Sequence, residues 1–194
     1  MTDFSAPDFW FLRHGETDWN AVHRTQGSTD IALNANGVAQ AEAAAAALVG
    51  RGIVAIISSP LGRARRTAEI VAQRLGVAVH IEPELREASF GVHEGETMGD
   101  WFAAWTRGEV VPEGGESFAA VRARVIPALH RVLAGNGPRL VVAHGGMFRT
   151  VRAAMGFSTS VRTPNGVPLW CARTDGVWSL TEAAATEAAA LANI

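Results

Sequence analysis

The chain has 194 residues, a net charge of −2 and 48% hydrophobic content, so it can bury a sizeable core, and its overall field selects neither nucleic acid nor an anionic membrane. It contains no lysine: all 17 basic residues are arginine, which excludes Schiff-base chemistry and the lysine of a P-loop. The single cysteine, Cys171, excludes an internal disulfide and fits a reducing cytoplasm; Met1 to Trp10 holds Asp3 and Asp8 but no basic residue, so no secretory leader is expected, and no apolar run approaches membrane-spanning length.

In chain order, the apolar run Phe9–Leu12 reads as a buried strand, and the alanine-rich segment Asn36–Val49 reads as a helix. Ile53–Ile57 is a second strand. Ser59 as N-cap and Pro60 at the first helical position then open a helix that runs to about Leu75 and stops at Gly76. Val77–Ile81 is a third strand. From Glu87 to Glu116 the alternation breaks: Trp101, Trp105 and several glycines occupy a stretch with no clear strand, expected to lie over one end of the sheet as a substrate cover. Ser117–Ala134 places Phe118, Val121, Val125, Leu129 and Val132 on one helix face, with Pro127 inside as an expected kink. Leu140–Ala143 is a fourth strand. Leu169–Ala172 and Trp178–Leu180 flank Asp175-Gly176, a strong hairpin signal, and Glu182–Leu191 reads as a helix or a frayed end. Strands alternating with helices imply an α/β fold, three-layer α/β/α around a mainly parallel sheet, in one domain spanning 1–194.

Three strands share one layout. Phe9–Leu12 leads into Arg13-His14-Gly15, Ile53–Ile57 into Ser58-Ser59-Pro60-Leu61-Gly62-Arg63, and Leu140–Ala143 into His144-Gly145-Gly146. Ligands of open α/β sheets bind beyond the carboxyl ends of the strands, so two histidines and two arginines emerge where a site is expected. Arg63 in the first turn of a helix opposes the helix dipole, which favours an anion site over helix stability as its reason.

Leu12-Arg13-His14-Gly15-Glu16-Thr17 followed by Trp19-Asn20 resembles the signature of the histidine phosphatase superfamily, which includes the cofactor-dependent phosphoglycerate mutases. Further matches follow in order: Gly27, Asp30, Leu33 and Gly37; Ser59-Pro60-Leu61 with Arg63, Ala64, Thr67 and Ala68; Leu85-Arg86-Glu87 with Phe90-Gly91 and Glu94-Gly95; Gly114 to Ser117; and Val142-Ala143-His144-Gly145-Gly146. The resemblance covers about Phe9 to Arg152 and implies a phosphoglycerate mutase-like fold. It implies that His14 attacks phosphorus and becomes phosphorylated, that Arg13, Arg63 and His144 hold the phosphoryl oxygens, and that Glu87 is the general acid and base. Substrate contacts are expected at Asn20, Thr17, Gln26, Gly27 and Gly145. For these roles His144 must present an N–H, and Glu87 must hold a proton near neutral pH; Glu84, Glu94 and Glu96 are its neighbouring competitors. His23, His80 and His130 read as surface or structural residues.

No metal and no cofactor is expected, because the arginines and His144 supply the positive charge and no metal-ligand spacing is present. The expected partner is a small-molecule phosphate ester, with no nucleic acid and no membrane; a homodimer is left open. Between Ala88 and Pro112 the only formal cation is Arg107, whereas mutases resembling this family carry basic residues there; this favours hydrolysis of a larger or less acidic phosphate ester, and so a metal-independent cytoplasmic phosphatase, over a mutase. His93 stands where the family often has an aromatic residue, either tuning specificity or simply exposed. The reading of another class is a non-catalytic phospho-ligand-binding protein on the same scaffold, but none of the matched residues is missing.

Overall fold

A computed structural model describes residues 4–183. The strands are β1 (Phe9–Arg13), β2 (Ala55–Ser58), β3 (Val79–Ile81), β4 (Arg139–Ala143), β5 (Pro168–Thr174) and β6 (Val177–Glu182). They form one sheet in the order β3-β2-β4-β1-β5-β6. β1, β2, β3 and β4 pair in parallel, and β5 and β6 add an antiparallel edge. The helices are α1 (Asp18–Ala21), α2 (Ala35–Leu48), α3 (Gly62–Leu75), α4 (Asp100–Thr106), α5 (Phe118–Leu133) and α6 (Gly145–Ala154).

The period-two alternation of the strands divides the core. Phe9 and Phe11 of β1 with Val141 and Ala143 of β4 face a cluster containing Val121, Val125 and Leu129 of α5 and Met147, Phe148 and Val151 of α6. Trp10 and Leu12 with Leu140 and Val142 face the opposite cluster, with Ala44, Ala45 and Leu48 of α2 and Ala64, Ala68 and Val71 of α3. Helices therefore cover both faces, as the alternating elements imply. The near-continuous apolar strands are those of a sheet buried on both sides.

Several boundaries follow local chemistry. Asn34 caps α2 by accepting from Gly37 N (2.8 Å), Ser117 caps α5 by accepting from Ala120 N (3.0 Å), and Gly76 ends α3 in the left-handed region. Asp175 and Gly176 both have positive φ (51° and 82°), as a tight hairpin turn requires. Other expectations are corrected. Ser59 does not cap α3; the helix begins at Gly62, and its first N–H groups go to Asp30, which accepts from Gly62 N (2.5 Å) and Arg63 N (3.4 Å). β2 and β3 each begin two residues later than their apolar runs. Glu182 ends β6 rather than opening a helix, and the remainder of that segment, 184–194, lies outside the described residues. No helix among the described residues is long and apolar enough to cross a membrane.

Candidate active site

The parallel ladder continues past the strand ends: His14 N donates to Ala143 O and Ser59 N to Val142 O, both at 3.0 Å. These bonds bring His14, Ser59 and His144 together at the carboxyl edge. The rings of His14 and His144 lie 5.2 Å apart, centroid to centroid. Both histidines are buried.

His14 Nδ1 lies 2.7 Å from Gly15 O. A carbonyl can only accept, so Nδ1 carries the proton and Nε2 keeps its lone pair. Burial, reinforced by Arg63 and Arg13, holds the His14 pKa well below its ordinary value, so the ring is neutral at pH 7. His144 is likewise held well below its ordinary value by burial, then by Arg63, His14 and Arg13. Its Nε2 lies 2.6 Å from Ser59 Oγ, which also accepts from Leu61 N (3.3 Å) and keeps both its proton and a second lone pair for the histidine. With Ser59 donating to Nε2, the neutral His144 ring carries its proton on Nδ1, a buried atom with no protein partner. An N–H donor is thus supplied without charging the ring.

Arg13 Nη1 donates to Thr163 O (2.8 Å). Arg63 Nη1 donates to Thr29 O (2.8 Å) and pairs with Asp30 at 3.3 Å, while its Nη2 donates to Gly27 O (2.7 Å). The loop 27–30 thus orients the guanidinium from behind. Nε of Arg13 and Nε of Arg63 are buried without a protein partner. Burial lowers Arg13 to about 10, with Arg162 adding to the fall, so it stays charged at neutral pH. Two cationic donors and one imidazole N–H, all buried and unpaired, are the donor set that a tetrahedral oxyanion satisfies.

Glu87 is buried, and its carboxylate accepts from Met147 N (2.6 Å), Gly146 N (2.8 Å) and Ala88 N (2.9 Å). Gly146 and Met147 lie in the first turn of α6, which lacks a cap from its own N-cap residue, His144. Glu87 therefore also caps this helix. A Cβ at Gly146 would sit 2.8 Å from Glu87 Oε1, so only glycine lets the carboxylate approach the backbone here. Arg124 of α5 fixes the segment before it, donating to Glu84 O (2.6 Å), Arg86 O (3.0 Å) and Glu87 O (3.1 Å).

Of these side chains, Arg13, His14, Arg63 and Glu87 border a cavity of about 370 Å³; His144 is buried and not part of its lining. Arg13, His14, Asn20, Gln26, Gly27, Arg63, Glu87 and Gly145 all line it; Phe90, Met98 and Phe102 form an apolar wall, and Arg24, Arg149 and Arg162 add three further guanidinium groups.

A family model described as histidine phosphatase superfamily (branch 1) matches residues 9–165. The chain belongs to this superfamily. A relative from Shigella boydii, named "Probable phosphoglycerate mutase GpmB", is 39% identical over 176 residues, covering 84% of this chain and 77% of the relative. The mycobacterial glucosyl-3-phosphoglycerate phosphatase, solved with VO3, superposes with a TM-score of 0.79 at 32% identity, covering 90% of this chain and 97% of that one. TTHB049 from Thermus thermophilus gives 0.73 at 34% identity, covering 91% and 99%.

The superfamily residues singled out in the sequence are thus gathered at one edge, but two of them, Thr17 and His144, are not among the residues that line the cavity. Thr17 is held locally: its hydroxyl accepts from Asn20 N (3.2 Å) and its backbone N–H donates to Asn20 Oδ1 (3.4 Å), so it caps α1 and orients Asn20. Among the four nearby glutamates only Glu87 borders the cavity. Glu94 accepts from Ser28 and Thr29 and ties down the 27–29 loop, Glu84 pairs with Arg86, and Glu96 pairs with His93. His93 stacks on Trp101 at 4.3 Å, off the cavity, and Trp105 is buried with its Nε1 on Glu116 O. His23, read as surface or structural, is exposed and also borders the cavity. Among groups the sequence did not reveal, Asn165 Nδ2 donates to His14 O (2.9 Å) and Asn20 Oδ1 (3.1 Å). Arg107 pairs with Glu109 in the open. The poorly cationic cover is therefore not the whole charge environment: Arg24, Arg149 and Arg162 reach the cavity from outside the Ala88–Pro112 segment. No group of three or more His, Cys, Asp or Glu among the described residues could hold a metal ion.

Proposed function

We propose that the chain is a phosphatase that hydrolyses small-molecule phosphate monoesters through a covalent phosphohistidine on His14. The observation that carries this reading is the neutral His14, its Nδ1 proton on Gly15 O, beside three buried nitrogens without protein partners: Arg13 Nε, Arg63 Nε and His144 Nδ1, the last a donor when Ser59 gives its proton to Nε2. In the first step His14 Nε2 bonds to phosphorus as the ester P–O bond breaks, and a proton from Glu87 converts the leaving oxygen to an alcohol. In the second, water bonds to phosphorus, the P–N bond breaks and Glu87 recovers a proton from that water. Charge spread over the equatorial oxygens meets the fixed donors, and the amide of Asn20 adds a neutral one. No step draws on a metal.

Hydrolysis is favoured over mutase transfer by the apolar wall of Phe90, Met98 and Phe102, which suits an ester with an apolar carbon portion rather than the hydroxyl-bearing chain of phosphoglycerate. The likeness to a mycobacterial phosphatase supports it too. The likeness to a protein named as a mutase keeps the other reading in play. Phosphate release from a panel of monoesters, set against interconversion of 2- and 3-phosphoglycerate with a bisphosphate primer, decides between them. Interconversion outpacing release from every ester would reverse the assignment.

A further inference from the structure

Five arginines line the cavity, but the phosphoryl chemistry proposed above uses only Arg13 and Arg63. The other three have no acidic partner within ion-pair distance among the described residues. With Asp30 and an ionised Glu87 counted against five guanidinium groups an excess of three positive charges remains, four when Glu87 holds the proton it donates, and a phosphate dianion neutralises two. This local excess stands out in a chain of net charge −2.

Two of the extra arginines share one wall. Arg149, on α6, lays its guanidinium over the Phe102 ring at 5.1 Å and donates to Thr159 O. Arg162 lies on the loop that follows, and this loop is fastened to the site at three points. Arg149 holds Thr159, Arg13 holds Thr163 O (2.8 Å), and Asn165 reaches His14 O (2.9 Å). Arg162 is thus presented from an anchored segment, and among the charged neighbours of Arg13 it lowers that group's pKa most. Beside it, Thr163 is only 3% exposed, borders the cavity, and has a buried hydroxyl without a protein partner. A buried hydroxyl with no partner points to a ligand that supplies one.

We propose that Arg149, Arg162 and Thr163 form a second anion subsite, so that the preferred substrate is a phosphate monoester whose alcohol portion carries a second anionic group, a carboxylate or a second phosphoryl. Phe102, beneath Arg149, packs against the carbon chain between the two anions. The assignment rests on the phosphatase reading, and the test separates the two.

The probes are three esters of matched length: propyl phosphate, 3-phosphonooxypropanoate and propane-1,3-diol bisphosphate. The wild type is expected to favour one or both of the doubly anionic esters over propyl phosphate by about 10-fold or more in kcat/KM, the scale of one charge-assisted contact. Which one leads identifies the second group. That ratio should shrink as salt rises, and should fall in R162Q, in R149Q and in the isosteric T163V, which keeps the backbone carbonyl that Arg13 uses. Equal or better turnover of propyl phosphate would overturn the subsite and leave the phosphatase reading standing. So would an unchanged ratio in all three variants. If no ester is hydrolysed, the phosphatase reading fails, and calorimetric affinities of the same esters decide the subsite: tighter binding of the doubly anionic ones supports it, equal binding removes it.

Discussion

Replacing Glu87 by glutamine separates two roles that the structure gives one carboxylate. Both oxygens accept backbone N–H bonds, two of them from the first turn of α6. Glutamine offers one oxygen and turns an NH2 group toward a buried N–H. At least one donor loses its partner, at a cost of about 1–3 kcal/mol, or on the capping scale about 0.5–2 kcal/mol. A drop of that order in the free energy of unfolding in urea is expected. The chemical loss is different in kind. An alkyl phosphate has a poor leaving group, so phosphoenzyme formation should slow by about 100- to 10,000-fold, the usual range for general acid–base catalysis. An activated aryl phosphate leaves with little protonation and should slow far less. Single-turnover rates of phosphoenzyme formation for one ester of each kind, in wild type and E87Q, give the comparison. Equal losses for both esters would mean that Glu87 acts only by capping α6 and shaping the site. An undiminished alkyl-ester rate would end its role as the acid.

Further outcomes follow from the surroundings. His14 and His144 are both held below their ordinary pKa, so phosphoenzyme formation should not fall as pH drops from about 7.5 through the free-imidazole value of ~6.5; a fall with midpoint there would mean a solvent-like His14. The unfolded chain takes up those protons first, so stability is present above pH ~6.5 and is lost as pH falls toward the folded values, by up to ~1.4 kcal/mol per pH unit for each histidine. Urea unfolding between about pH 7 and pH 5 reads that slope, and a flat profile would contradict it. Asn165→Ala releases His14 O and Asn20 Oδ1, so phosphoenzyme formation should slow by about 3- to 10-fold, the scale of a neutral hydrogen bond; an unchanged rate would remove Asn165 from the positioning of the site. Turnover should survive exhaustive chelation, and loss of activity restored by one divalent ion would refute metal independence.

The parts of the site legible in the sequence are those whose signal is local. Apolar runs ending in Arg13-His14, Ser59 to Arg63 and His144-Gly145 mark strand ends, and a parallel sheet brings such ends to one edge. Ser117, Gly76 and Asp175-Gly176 carry their cap or turn chemistry in their own side chains or backbone freedom. The misses are non-local. α3 and α6 open without a side-chain cap of their own, and carboxylates from distant segments, Asp30 and Glu87, receive their first N–H groups. Ser59, which has the look of a cap, gives its hydroxyl to His144 instead. α6 begins Gly145-Gly146, a weak helix start that packing and Glu87 sustain. α4 is seven residues of a segment read as irregular, held by the burial of Phe102 and Trp105. Arg162, Thr163 and Asn165 sit on a loop beyond the recognisable motifs, where no periodicity signals a role. The charge argument from Ala88–Pro112 is incomplete for the same reason, because Arg24, Arg149 and Arg162 reach the cavity from other elements.

The central claim is that His14 itself carries the phosphoryl group. Rapid quench of the wild-type protein with a labelled phosphate monoester should trap a phosphoprotein that is labile to acid and stable to base, with the label on His14 and none in His14→Ala. Label persisting in that variant, or steady turnover of an alkyl phosphate by it at the wild-type rate, would contradict the account.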